Sequence, residues 1–151
     1  ILKGATPEMY RRAVRWARGA GLEIRGSFML GFPTETPQMS RQTIEMACDL
    51  NADYMLFFAY HVLPGTALET MALGHGHLVA GWDQNIHNPS YVPDTYGSAE
   101  ELAAMVRYAY RRYYLRPAYL GRLIARTVRR PWLIGNHALS LGYWLGAALR
   151  G

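Results

Sequence analysis

Three things are scarce in this sequence. Among its 151 residues there is one cysteine, Cys48; alone it cannot close an intrachain disulfide or supply a four-thiolate metal centre, and it fits a reducing compartment. No acidic residue follows Glu101. Neither an initiator Met nor a charged stretch leading into an apolar one opens the chain, so it reads as a piece of a longer protein rather than as a secreted one. With 50% apolar and 18% charged residues, disorder and a collagen-like repeat are excluded, and the length suits one domain with a real core.

The missing acids divide the chain. Residues 1–101 hold all 11 Asp and Glu against seven Lys and Arg, a net of −4, while residues 102–151 hold nine Arg and no acid, a net of +9. The overall +5 is therefore a property of the tail.

Punctuation and periodicity predict the elements. Thr6 and Pro7 open a helix over about 7–20 that Gly21 stops. Residues 22–30 read as a strand with Ile24, Phe28 and Leu30 on one face and Arg25, Ser27 and Met29 on the other. Thr36 and Pro37 start a second helix that ends near Asn51. Residues 53–60 form a second strand, so continuously apolar and aromatic that both its faces are expected to be covered. Helix, strand, helix, strand with short connections is the rhythm of a parallel α/β sheet. Residues 74–97, rich in Gly, His, Asn and Pro, read as an ordered loop. Ser98 then caps a helix with Leu102, Met105, Val106, Ala109 and Tyr113 as its apolar stripe, another helix covers about 118–129, and a last one follows Pro131.

The densest motif is the stretch from Gly26 to Thr36, Gly-Ser-Phe-Met-Leu-Gly-Phe-Pro-Thr-Glu-Thr. It lies at the carboxyl end of the first strand, where barrel-type α/β folds place active sites and where Gly31 would let a ligand approach the backbone. An ordinary strand-to-helix turn explains Gly-Phe-Pro equally well. Leu63-Pro64-Gly65-Thr66, after the aromatic strand, is a weaker marker of the same kind.

In this order, the two strand-end motifs resemble the C-terminal half of the radical SAM catalytic domain, most closely its cobalamin-binding-domain branch of oxidative cyclases and methylases. The likeness covers residues 1–73, and the segment from Trp82 to Tyr114 is similar to tails of that branch. It implies the last two strands of a partial (β/α) barrel over 1–73, then a loop over 74–97 and a basic helical extension over 98–151. It also implies S-adenosylmethionine (SAM) across the carboxyl strand ends, a 4Fe-4S cluster that cleaves it, and cobalamin as a further cofactor. Three cysteines would have to hold the cluster, so its ligands are expected outside this chain, which alone would be inactive.

Carried over by position, Met29 would lie against adenine, with Leu30 as the alternative of opposite parity and Gly31 allowing close approach. Arg25 and Ser27 share the Met29 face and would point at SAM or substrate; a solvated arginine is the alternative for Arg25, although a lone Arg among apolar strand residues usually has a partner. Backbone groups from Phe57 to Ala59 would meet the adenine edge. Glu35 matches the family's Glu-Thr pair, although charge stabilisation at a helix start is the simpler account of it. His61, just past the second strand, could reach substrate or only cap a loop. His75 and His77 lack a further ligand in register, so no metal site is assigned.

Partners follow from the same residues: the N-terminal half of the same protein, an apolar small-molecule substrate, and an anionic membrane surface. The membrane enters through residues 132–149, which carry no charge and follow Arg122, Arg126, Arg129 and Arg130. That arrangement suits an interfacial helix better than a span, and packing against the missing half of the barrel explains it equally well. A cytoplasmic protein, peripheral to the inner membrane face, is the matching location. Tyr108, Tyr110, Tyr113 and Tyr114 among Arg107, Arg111, Arg112 and Arg116 look like a nucleic-acid platform, but they also continue a core stripe, which is preferred. The alternative to a radical SAM enzyme acting on an apolar substrate is a non-catalytic peripheral membrane-binding or interaction domain.

Overall fold

A computed structural model describes residues 4–79 and 89–129. The helix expected after Pro131 lies outside them. The chain is an α/β protein in which helix α1 (Pro7–Gly19), strand β1 (Arg25–Leu30), helix α2 (Pro37–Leu50) and strand β2 (Tyr54–Ala59) follow one another. The caps are the expected ones: the side-chain oxygens of Thr6 and Thr36 accept from Met9 N–H and Met39 N–H, and Asn51 closes α2 in the left-handed region with φ 53°.

Strands β1 and β2 pair in parallel, with Arg25 opposite Tyr54, Ser27 opposite Leu56 and Met29 opposite Phe58. A hairpin turn cannot join parallel neighbours, which is why α2 carries the crossover. No barrel closes among the described residues. Helix α4 (Ala99–Tyr114), capped by Ser98, packs with α2 on one face of the sheet. Leu30, Met55, Phe57 and Ala59 from the strands, Ile44 and Ala47 from α2, and Leu102, Val106, Ala109 and Tyr113 from α4 form this core.

Beyond the carboxyl ends of the strands lies a second, smaller cluster of Tyr60, Val62, Ala72 and Tyr91 with Phe32. Residues 67–73 form a short helix, α3 (Ala67–Leu73), and one feature departs from expectation: the segment 74–97, expected to be a loop, contributes an antiparallel pair, β3 (Gly76–Leu78) with β4 (Tyr91–Pro93). The reason is local: Tyr91 and Val92 are fully buried, and Gly76 lies so close to Val92 that a Cβ there would sit 2.3 Å from its carbonyl oxygen.

The second strand is also covered less than its composition suggested. Met55, Phe57 and Ala59 are buried, but Tyr54, Leu56 and Phe58 are half-buried, because α2 and α4 share one side of the sheet.

Helix α5 (Pro117–Arg129) turns Arg122 and Arg126 inward. Arg122 donates to the Asn51 and Ala52 carbonyls, Arg116, just before α5, to the Cys48 carbonyl and to Asn51 Oδ1 at 3.2 Å, and Arg126 to Asp53. The last carbonyls of α2 have no partners within their own helix and carry its partial negative charge, so guanidinium groups are well placed there. With Arg112 held by Glu45 at 2.8 Å, much of the tail's positive charge is engaged by the acidic half of the same chain.

Candidate functional site

The face of the two-stranded sheet turned away from α2 and α4 is lined, from the amino to the carboxyl ends of the strands, by three cross-strand pairs: Arg25 with Tyr54, Ser27 with Leu56, and Met29 with Phe58. None of the six is buried. Alternation puts every second residue of each strand on this side, and parallel register places the two sets opposite each other.

Arg25 sits at the amino end with its guanidinium over the Tyr54 ring, 5.3 Å from the centroid. At about 3.3 Å per residue that is about 13 Å from Met29 along the strand. Arg25 therefore belongs to the lower rim of the face, where Arg126 also approaches Tyr54 at 5.8 Å. Ser27 and Met29 occupy the middle and upper positions. Phe58, which sequence reasoning did not single out, is the partner of Met29; in a continuous apolar run nothing marks parity, and only the register with β1 reveals which residues face out.

Phe57 and Ala59 point to the other side, into the core. The Phe57 backbone is engaged as well: its N–H donates to Tyr110 Oη at 3.1 Å, and that hydroxyl donates to the Phe57 carbonyl at 2.9 Å. Leu30 is fully buried. Gly31 has φ 73°, and a Cβ on it would lie 2.6 Å from Leu102 Cδ2; the turn and the approach of α4 both require a glycine there.

Glu35 is built into the turn that follows. Its carboxylate accepts from Phe32 N–H at 2.9 Å and from Ser40 Oγ at 2.6 Å, Ser40 meets Tyr96 Oη at 2.6 Å, and Thr95 Oγ1 donates to the Glu35 carbonyl at 2.5 Å. This buried network fixes the Gly-Phe-Pro-Thr-Glu loop, including Thr34 at φ 70°.

His61 lies two residues beyond β2. Its Nδ1 is 2.7 Å from Oγ of the buried Ser90. His75 donates its backbone N–H to the Ala72 carbonyl and His77 lies in β3 opposite Val92. Among the described residues no group of three or more His, Cys, Asp or Glu could hold a metal ion, and no helix is long and apolar enough to cross a membrane.

The residues can be compared with the groups that the resemblance implies. Cys48 is buried in α2, with its thiol pushed up by desolvation; one such thiol does not fit a 4Fe-4S cluster, which takes exposed thiolates from several cysteines. The upper part of the open face fits one end of SAM better. Met29 and Phe58 supply apolar and aromatic surface for a purine, and Ser27 adds a hydroxyl beside it. No described residue points to cobalamin.

The chain is similar to an uncharacterized methyltransferase of Pyrococcus horikoshii, with 33% identity over 138 residues, 85% of this chain and 30% of that protein. It is also similar to the tRNA-2-methylthio-N(6)-dimethylallyladenosine synthases of Sodalis glossinidius, 36% identical over 64 residues (41% of this chain, 14% of the synthase), and Actinobacillus succinogenes, 32% identical over 71 residues (46% and 15%). No family model matches. The chain thus spans under a third of the methyltransferase and about a seventh of each synthase. These relatives are consistent with a radical SAM relation and with methylation-related chemistry, without singling out the cobalamin-binding branch.

Proposed function

We propose that this chain is part of the catalytic domain of a radical SAM enzyme that methylates, methylthiolates or oxidatively cyclises an apolar substrate, and that it contributes the two strands against which SAM lies. The observation that carries the reading is the open sheet face, with Met29 and Phe58 at its upper end, Ser27 in its middle, and the opposite face packed by α2 and α4. When bound, SAM supplies a methyl group or, on reductive cleavage, a carbon radical. The chain's own residues bind and orient: Met29 and Phe58 take the purine, Ser27 offers a hydrogen bond, and the Glu35 network holds the loop above them rigid. The cluster belongs to cysteines outside residues 1–151, and cobalamin as a second cofactor is the finer form of the same reading.

Residues beyond this chain complete the sheet. One of its edges is sealed by the tyrosines of α4, whereas the backbone groups of Arg25, Ser27 and Met29 face the other edge, with no strand beside them among the described residues. A strand from the N-terminal part of the same protein fits there.

The test is product analysis on the polypeptide that carries this chain, with its cluster reconstituted and reduced. Formation of 5′-deoxyadenosine that falls at least tenfold in Met29→Asp supports the reading. S-adenosylhomocysteine as the sole SAM-derived product, or an unchanged rate in Met29→Asp, rejects it.

A second reading, a peripheral interaction domain, draws on α5. Leu120, Ile124 and Val128 form one outward stripe at 38%, 64% and 75% exposure, while Arg122 and Arg126 turn inward. Such a stripe is apolar rather than electrostatic, so flotation with neutral vesicles as efficient as with anionic ones supports it, and failure with both removes it.

A further inference from the structure

We propose that His61 is a hydrogen-bond donor to an uncharged carbonyl oxygen of the substrate, with Ser90 as the residue that fixes its tautomer. This inference rests on the location of the substrate site given above, at the carboxyl ends of β1 and β2, where open parallel sheets bind their ligands.

Three observations lead to it. His61 lies two residues beyond β2, in sequence between the buried Tyr60 and Val62 of the small upper cluster. Its Nδ1 is paired with Ser90 Oγ at 2.7 Å. Its Nε2 is buried and has no hydrogen-bond partner among the described residues. A hydroxyl always carries a proton to give, and Ser90 Oγ has no other partner among the described residues, so the hydrogen bonding assigns Ser90 as donor and Nδ1 as acceptor. The neutral imidazole then carries its proton on Nε2, and what is buried without a partner is an N–H donor.

An unpaired buried donor costs about 1–3 kcal/mol, and the large majority of buried side-chain polar atoms have a partner. The missing acceptor is therefore sought in a ligand. Its chemistry follows from the adjoining cluster: Tyr60 and Val62, which flank His61 in sequence, pack with Tyr91 and Phe32 into an aromatic and aliphatic patch, beside which an ionised carboxylate or phosphate would lose its hydration without a countercharge. A ketone, ester or amide carbonyl on an apolar framework satisfies the N–H without that loss. Ser90, held in turn by the Val79 N–H on its carbonyl at 2.9 Å, does not touch the ligand; it is a positioning residue.

The experiment is nitrogen-15 NMR on histidine-labelled protein carrying this chain, read first free and then with cyclohexanone as carbonyl probe and cyclohexane as its carbonyl-free control. Expected are a His61 ring with the proton on Nε2, a Nδ1 resonance that moves downfield in Ser90→Ala as its lone pair is released, and a downfield shift of the Nε2 proton with cyclohexanone but not with cyclohexane. A proton found on Nδ1, an Nε2 proton indifferent to cyclohexanone, or a persistent cross-peak from that proton to a bound water overturns the proposal. Because no SAM is present, the outcome is independent of the 5′-deoxyadenosine assay, and either reading can fail while the other stands.

Discussion

Tyr110 and Phe57 close one edge of the sheet: a single phenolic oxygen accepts the Phe57 N–H at 3.1 Å and donates to the Phe57 carbonyl at 2.9 Å. One turn along α4, Tyr114 does the same for Met55, at 2.9 and 2.8 Å. The helix places side chains four residues apart on one line, and the strand presents edge groups at every second residue, so two tyrosines at i and i+4 match two residues at i and i+2. An unpaired strand edge invites association with other chains; here it is replaced by side-chain hydroxyls.

Removing either hydroxyl should leave a buried N–H and C=O unpaired without opening a cavity. Tyr110→Phe and Tyr114→Phe are each expected to lower stability by about 1–3 kcal/mol, measured by urea denaturation. Tyr108→Phe is the control: Tyr108 is exposed and meets Arg41 through its ring, so a change within about 0.5 kcal/mol is expected. Equal effects at all three positions would refute the sealing role.

Buried tyrosines set an alkaline limit. Burial pushes Tyr91 and Tyr119 up to about 12, and Tyr113 and Tyr114 also lie above their ordinary value for the same first cause. The unfolded chain titrates near 10, so it releases these protons first. The stability they contribute is complete below pH 10 and is lost as pH rises through about 12, by about 1.4 kcal/mol per pH unit for each tyrosine. Urea midpoints should therefore be flat from pH 8 to 9.5 and fall steeply above; a midpoint at pH 11 equal to that at pH 9 contradicts this.

The turn above β1 is expected to be intolerant. Glu35→Gln replaces a carboxylate acceptor by an amide, and one of the Phe32 N–H and Ser40 hydroxyl donors then meets an NH2 group; a loss of about 1.5–3 kcal/mol is expected. Gly31→Ala adds a Cβ against Leu102 at a positive φ, and a loss of at least about 2 kcal/mol is expected from strain and overpacking together. Thermal denaturation of both variants checks this, and a Gly31→Ala protein as stable as the parent would mean that the glycine is kept for another reason.

How much of this could be read beforehand depended on the range of the interaction. The caps Thr6, Thr36 and Ser98, the stop at Asn51 and the α4 stripe are local patterns, and all were legible. The pairing of β3 with β4 was not, since three-residue strands carry no periodicity and their contact depends on Gly76 meeting Val92 across the chain. At the site, Met29 and Ser27 could be placed by alternation from Arg25, whereas Phe58 could not, because parity in an apolar run is fixed only by the neighbouring strand. The contacts of the tail's arginines were hidden for the same reason: a run of positive charge does not show that Arg116, Arg122 and Arg126 end on carbonyls and a carboxylate near residue 51.

The open face gives the most discriminating mutational test, since a binding surface and a folding surface respond oppositely to the same change. Met29 is 36% exposed and Phe58 half-buried, so Met29→Asp removes little packing and should alter stability by no more than about 1 kcal/mol. It also places a carboxylate where the apolar face would receive a purine, and loss of at least tenfold in SAM affinity is expected. Phe57→Ala, one residue away, should do the reverse. Phe57 is fully buried, with its ring edge-on to Tyr110 at 5.5 Å and to Tyr113 at 6.0 Å, so its truncation should cost about 3–5 kcal/mol. Calorimetric titration with SAM and urea denaturation on the two variants separate the sides of the strand. If Met29→Asp unfolds the protein while binding by the folded fraction is unchanged, the face is a packing surface for another part of the polypeptide and the SAM assignment falls.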